Sequence, residues 1–151
     1  MHQIPSKDRI SEIFGTHQPR WKVLFTEAQQ EESLARELSA LDVGFYLPLA
    51  RGDHLTTRFT NRSWQPLIPG LVFVNSSDCQ THALARSQRV RRILPVQDQV
   101  QLRADLLDLH QLLALECPLS VSHAAASPLR RGTGQSVRLH CLGVDVFLLT
   151  S

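Results

Sequence analysis

The sequence is poor in cysteine, has no long apolar run and carries no dominant charge. Cys79, Cys117 and Cys141 are the three cysteines of a 151-residue chain, an odd number at wide spacings. Such spacing makes neither a disulfide framework nor a paired zinc module, and no metal or other cofactor is expected. A chain of this length buries roughly two thirds of its unfolded surface, so it folds without either device. No segment approaches the ~18 apolar residues of a spanning helix, and the first twenty residues hold no stretch of the kind a secretory signal needs. Lys and Arg total 16 against 14 Asp and Glu, a net charge of +2. That balance gives no global field to hold the surface on DNA or a membrane. These absences point to a cytoplasmic protein built around one core, with no membrane partner.

What is present is local. Residues 51–100 carry seven Arg against three Asp, whereas residues 1–50 carry five positive and seven negative side chains. Arg86, Arg89, Arg91 and Arg92 crowd into seven positions. Arg donates in pairs and stays charged, so this cluster and the hairpin residues Arg58 and Arg62 are candidates for weak, sequence-blind phosphate contact. The same cluster also reads as a solvated helix end followed by the exposed face of a strand.

Periodicity supplies the elements. A short helix over Ser6–Gly15 precedes a strand at Trp21–Thr26, where Trp21, Val23 and Phe25 alternate with Lys22 and Leu24. Thr26 and Gln29 have capping-box spacing, and Leu34, Leu38 and Leu41 form the stripe of the next helix, stopped at Gly44. Phe45–Leu49 is a second strand containing Pro48, followed by a polar hairpin over residues 50–65. Leu71–Val74 is a short apolar strand of the sort found centrally in a sheet. Ser77 and Gln80 repeat the capping-box spacing ahead of a helix reaching about Ser87. Val90–Leu94 is a fourth strand, and Leu102, Leu106, Leu109 and Leu113 mark an amphipathic helix ended by Pro118. The composition then shifts to Ser, Ala and Pro, as in a linker, before two strands over Val137–Cys141 and Val144–Leu149. This order predicts an α+β fold, a four-stranded, mainly antiparallel sheet flanked by helices, with a short C-terminal β stub. Thr26-Glu27-Ala28 lacks the glycines of a dinucleotide-binding turn, which disfavours a doubly wound nucleotide fold.

Four segments resemble, in order and at matching spacing, the NusG/RfaH family of transcription elongation and antitermination factors. They are Trp21–Thr26, Gly44–Leu49, Pro66–Val74 and Arg89–Leu94, with Ile68 and Leu71 standing where the family has aromatic residues. Gly134–Leu139 is similar to the first strand of the family's KOW barrel. The resemblance implies an N-terminal extension over residues 1–19, a NusG N-terminal-like domain over 20–117, a linker over 118–133 and an incomplete KOW-like segment over 134–151. Ribosome and termination-factor contacts, which the family makes through that barrel, are not expected here.

The family binds and does not catalyse. The resemblance implies that Phe25, Ile68, Leu71 and Phe73 form an apolar patch for the clamp helices of RNA polymerase. It implies that Thr81 and His82 touch the opposite pincer, and that the two contacts together suppress pausing. Phe25, Leu71 and Phe73 share parity in their strands, which leaves open whether they face solvent or the core. The helix after the first strand carries Glu27, Glu31, Glu32 and Glu37 with Arg36 its one cation, so it repels DNA. Two other readings are weaker. A cysteine nucleophile beside His140 lacks an oriented base. A generic RNA-binding module on a ferredoxin-like sheet needs exposed aromatics to stack bases.

Overall fold

The computed structural model describes residues 20–51, 64–115, 119–123 and 136–148. The expected helix over Ser6–Gly15 lies outside them. The chain divides into two units, residues 1–47 with 68–99 and residues 48–67 with 100–151.

The first unit holds β1 (Arg20–Phe25), α1 (Glu31–Ala40), β2 (Gly44–Tyr46), β5 (Leu71–Ser76), α2 (Asp78–Leu84) and β6 (Arg92–Pro95). Its sheet runs β2-β5-β1-β6 with every neighbour antiparallel. Two interleaved split β-α-β units produce this order, so β1 and β5 take the two central positions. Trp21, Val23 and Leu24 in β1 are buried, as are all six residues of β5. A central strand covered on both faces explains why Leu71–Val74 reads as continuous rather than alternating hydrophobicity. Register puts Val23 opposite Phe73 and Phe25 opposite Leu71, while Tyr46 faces Phe73 from the other side. Thr81 Oγ1 lies 2.9 Å from Ser76 Oγ, which sets α2 against the face that carries Ser76.

Local chemistry sets the boundaries. Ser77 caps α2 through its expected box: Gln80 N–H donates to Ser77 Oγ (3.3 Å) and Ser77 N–H to Gln80 Oε1 (3.0 Å). Thr26 does not cap α1. Its N–H donates to Gly70 O (2.9 Å), which extends the β1–β5 pairing by one step, and the helix starts five residues later. Gly44 does not stop α1 either; Asp42 makes the reversal at φ 56°. Leu41, expected in the buried stripe, is 45% exposed because the helix has already ended at Ala40. Pro48 splits the expected second strand. It has no N–H for the ladder, so β2 ends at Tyr46.

The second unit contains β3 (Leu49–Arg51), β4 (Trp64–Pro66), α3 (Gln99–Leu113), β7 (Leu119–His123), β8 (Ser136–Leu139) and β9 (Val144–Leu148). Gln99 itself falls in the first unit, where its side chain donates to Trp21 O (2.9 Å) and Val96 O (2.6 Å). β3 and β4 pair antiparallel at the base of the expected polar hairpin, and Leu67 N–H donates to Pro48 O (2.9 Å). Leu102, Leu106, Leu109 and Leu112 form the buried side of α3. The stretch that reads as linker is in part structured. Leu119–His123 pairs in register with β9, giving a sheet of order β7-β9-β8. Leu119 begins a Leu-Ser-Val-Ser alternation, a period-2 signal masked by the surrounding Ser and Ala. Gly143 turns β8 into β9 at φ 64°, a backbone state that glycine adopts without cost.

Candidate functional site

The residues expected to form the apolar patch occupy one end of the first unit's sheet, where β1 finishes and β5 starts. The turn before β5 is held there by Glu31. Its buried carboxylate accepts the N–H groups of Gly70 (2.7 Å) and Gln29 (3.0 Å). Gly70 sits at φ 77°, and a Cβ on it would lie 2.8 Å from Thr26 O. The Pro-Gly pair is therefore demanded by a close backbone approach, not only by the turn. Sequence reasoning placed Glu31 as a charge favoured by the helix dipole. Its tie to a loop 39 residues away leaves no signal in local spacing.

At this end the structure separates the four candidates. Phe25 and Ile68 are partly exposed. Leu71 is 3% exposed and Phe73 has no exposed surface. The expectation that Leu71 and Phe73 present an open facet is therefore corrected: β5 is an interior strand, and both side chains belong to the core. Arg92 faces Phe25 across the β1–β6 pair with its guanidinium 5.7 Å from the ring centroid. Phe25 thus keeps partial exposure with a cation over its ring.

Thr81 and His82 lie elsewhere. They sit on α2, which follows the far end of β5, so a whole strand separates them from the end where Phe25 lies. Thr81 Oγ1 donates to Ser77 O (2.8 Å), while His82 is exposed. Lys22 lies beneath this end, its Nζ donating to Ser76 O (2.9 Å). Burial lowers the Lys22 pKa, and the nearby Asp78 carboxylate partly opposes that shift.

The Arg cluster is exposed but largely engaged. Arg89 pairs with Glu37 (3.1 Å), Arg91 pairs with Glu27, and Arg92 covers Phe25. Arg89 and Arg91 also line an open polar cleft of about 330 Å³ with Thr26, Glu27, Gln30 and Gln88. Exposed pairs of this kind contribute little to stability, yet each cancels a positive charge that phosphate would need. Arg86 has no ion pair among the described residues. Arg58 and Arg62 lie outside the described residues.

Among the described Phe, Trp and Tyr side chains, only Phe25 and Trp64 are partly exposed. Trp21, Phe45, Tyr46 and Phe73 are all at most 6% exposed, and burial raises the Tyr46 pKa. Among the described residues no group of acidic, His and Cys side chains has metal-site geometry, and no helix is long and apolar enough to cross a membrane.

The second unit brings His140, Cys141 and Asp105 together. Asp105 is 3% exposed and accepts from Gln101 Nε2 (2.7 Å), His140 N (3.0 Å) and the His140 ring Nδ1 (3.0 Å). Burial, reinforced by the Asp105 charge, pushes the Cys141 thiol up to about 11. The neutral thiol is the favoured form, so only about one molecule in a thousand carries the thiolate near pH 8. Alkylation at about pH 8 will therefore spare Cys141, and its rate will climb about tenfold per pH unit toward its raised pKa. Peptide mapping after iodoacetamide treatment reads this. Modification of Cys141 as fast as that of exposed Cys79 would refute it.

The first unit thus offers a split-β-α-β sheet with an interior central strand and paired surface arginines. Residues 19–108 match the family model described as transcription termination factor NusG. The chain belongs to the NusG family, whose members are non-catalytic transcription factors that interact with RNA polymerase. No curated protein and no solved structure matches it.

Proposed function

We propose that this chain is a transcription elongation and antitermination factor that holds the clamp helices of RNA polymerase and suppresses pausing. The family match, which spans the whole four-stranded sheet, carries this reading. The contact falls to Phe25 and Ile68, the two patch candidates with accessible surface, while Leu71 and Phe73 support them from within the core. A coiled-coil clamp offers a groove between helices, and a few partly exposed apolar anchors suffice to dock in one. Thr81 and His82, at the other end of β5, reach the opposite pincer. This separation suits a factor that bridges a cleft. Backbone DNA contact by Arg86, and by Arg58 and Arg62, is an accessory, salt-sensitive contribution. The protein works in the cytoplasm, with residues 20–117 as its polymerase-binding domain.

The test is binding of the intact chain to bacterial RNA polymerase and to an isolated clamp-helix peptide. Ile68→Asp will weaken both by about tenfold or more while the circular dichroism spectrum stays unchanged. Wild-type affinity in that variant, with its fold intact, removes the patch from the mechanism. Tighter binding to a plain RNA oligonucleotide than to polymerase would favour the RNA-binding alternative.

A further inference from the structure

Helix α3 has two apolar sides, and only one is buried. Opposite Leu102, Leu106 and Leu109 lie Val100, Ala104, Leu107, Gln111 and Ala114, spaced four, three, four and three residues apart. All five are exposed, Val100 at 81% and Leu107 at 39%. Leu115, 47% exposed, borders the same stripe. The helical hydrogen bonding continues through Ala114, whose N–H donates to His110 O (3.1 Å), so the stripe is helical over its whole length. This spacing is the seam of a two-stranded coiled coil.

The charges beside the seam choose the occupant. Arg103 and Asp108 flank it on opposite sides, and neither has an ion-pair partner among the described residues. In a parallel, in-register pair of identical helices, a residue on one flank meets the residue five positions on in the other helix. Arg103 of each copy then meets Asp108 of the other, twice by symmetry. An antiparallel pair centred on Leu107 would instead bring the two Asp108 side chains together. We propose that α3 is a self-association surface, through which two copies of this chain pair in parallel about a two-fold axis along the helix. The seam spans only two heptads, with Val100 and Leu107 its larger apolar side chains, too short for the roughly 1,600 Å² of a standard interface, so the dimer is weak and concentration-dependent. This surface is independent of the polymerase-contact reading.

Sedimentation velocity on the full chain, from about 5 µM to about 500 µM, reads the association. The wild type will shift from monomer toward dimer across that range. Asp108→Arg sets Arg against Arg and will weaken the dimer by about tenfold, and the double exchange Arg103→Asp with Asp108→Arg will restore it. Leu107→Lys will leave a monomer at every concentration. Circular dichroism keeps the fold in view; Asp108 and Leu107 are exposed, Leu107 at 39%, and Arg103 is partly exposed. A wild type that stays monomeric overturns the proposal. So does a dimer that Asp108→Arg leaves unchanged or tightens, since tightening is what an antiparallel pair would show.

Discussion

Phe73→Ala will unfold the protein at markedly lower denaturant, with a loss of about 3–5 kcal/mol. Domains of this size carry only about 5–15 kcal/mol of net stability, so much of the margin disappears. The upper part of the range applies because the site cannot collapse. Phe73 has no exposed surface, lies in a strand buried along its whole length, and is flanked in register by Val23 and Tyr46. Neighbours held by two ladders cannot move in to fill the void. Urea unfolding followed by circular dichroism measures the midpoint. A variant within about 1 kcal/mol of wild type that has lost polymerase binding would return Phe73 to the surface and reinstate the four-residue patch. Phe73→Asp is the harsher form, since it buries a carboxylate among apolar side chains and is expected not to fold.

That result marks the limit of what alternation reveals. The parity of Phe25, Leu71 and Phe73 was legible and correct, because register places all three on one face. Parity carries no information on what covers a face, and β5 turned out to be covered on both. The α+β class, the four sheet strands and the α2 capping box were equally legible, because each rests on local spacing. The Thr26 cap failed because Gln29 turns the chain at φ 75°, so the helix starts only at Glu31, beyond reach of the Thr26 side chain. The pairing of Arg89 with Glu37 and of Arg91 with Glu27 joins residues 52 and 64 positions apart. A count of Arg in a window could not see that these charges are compensated. Glu31 belongs to the same class: its function as an anchor for the Gly70 turn is a long-range contact with no local trace.

Asp105→Ala will release the turn between β8 and β9 at a cost of about 3 kcal/mol. The carboxylate accepts from three donors while buried, and alanine removes the acceptor that the His140 N–H uses. Charged acceptors of this kind contribute more than neutral ones, and this one ties the part-buried turn to α3. The nearest elements feel this first. Among the described residues β8 pairs only with β9, and the turn that joins them is the segment Asp105 grips. Hydrogen exchange followed by mass spectrometry will therefore show faster exchange across residues 136–148, with β1 and β5 unchanged. The Cys141 thiol gives a second readout. With the turn released, both causes of its raised pKa weaken, and its alkylation near pH 8 will accelerate. Asp105→Asn keeps one oxygen for the His140 N–H and will show a smaller change in both measurements. If exchange instead rises equally in β1 and β5, Asp105 supports the whole core and does not act as a local pin. If Cys141 stays unreactive in Asp105→Ala, the turn is held by its apolar contacts, with Val137, Leu139, Val144 and Val146 sufficient to keep it in place.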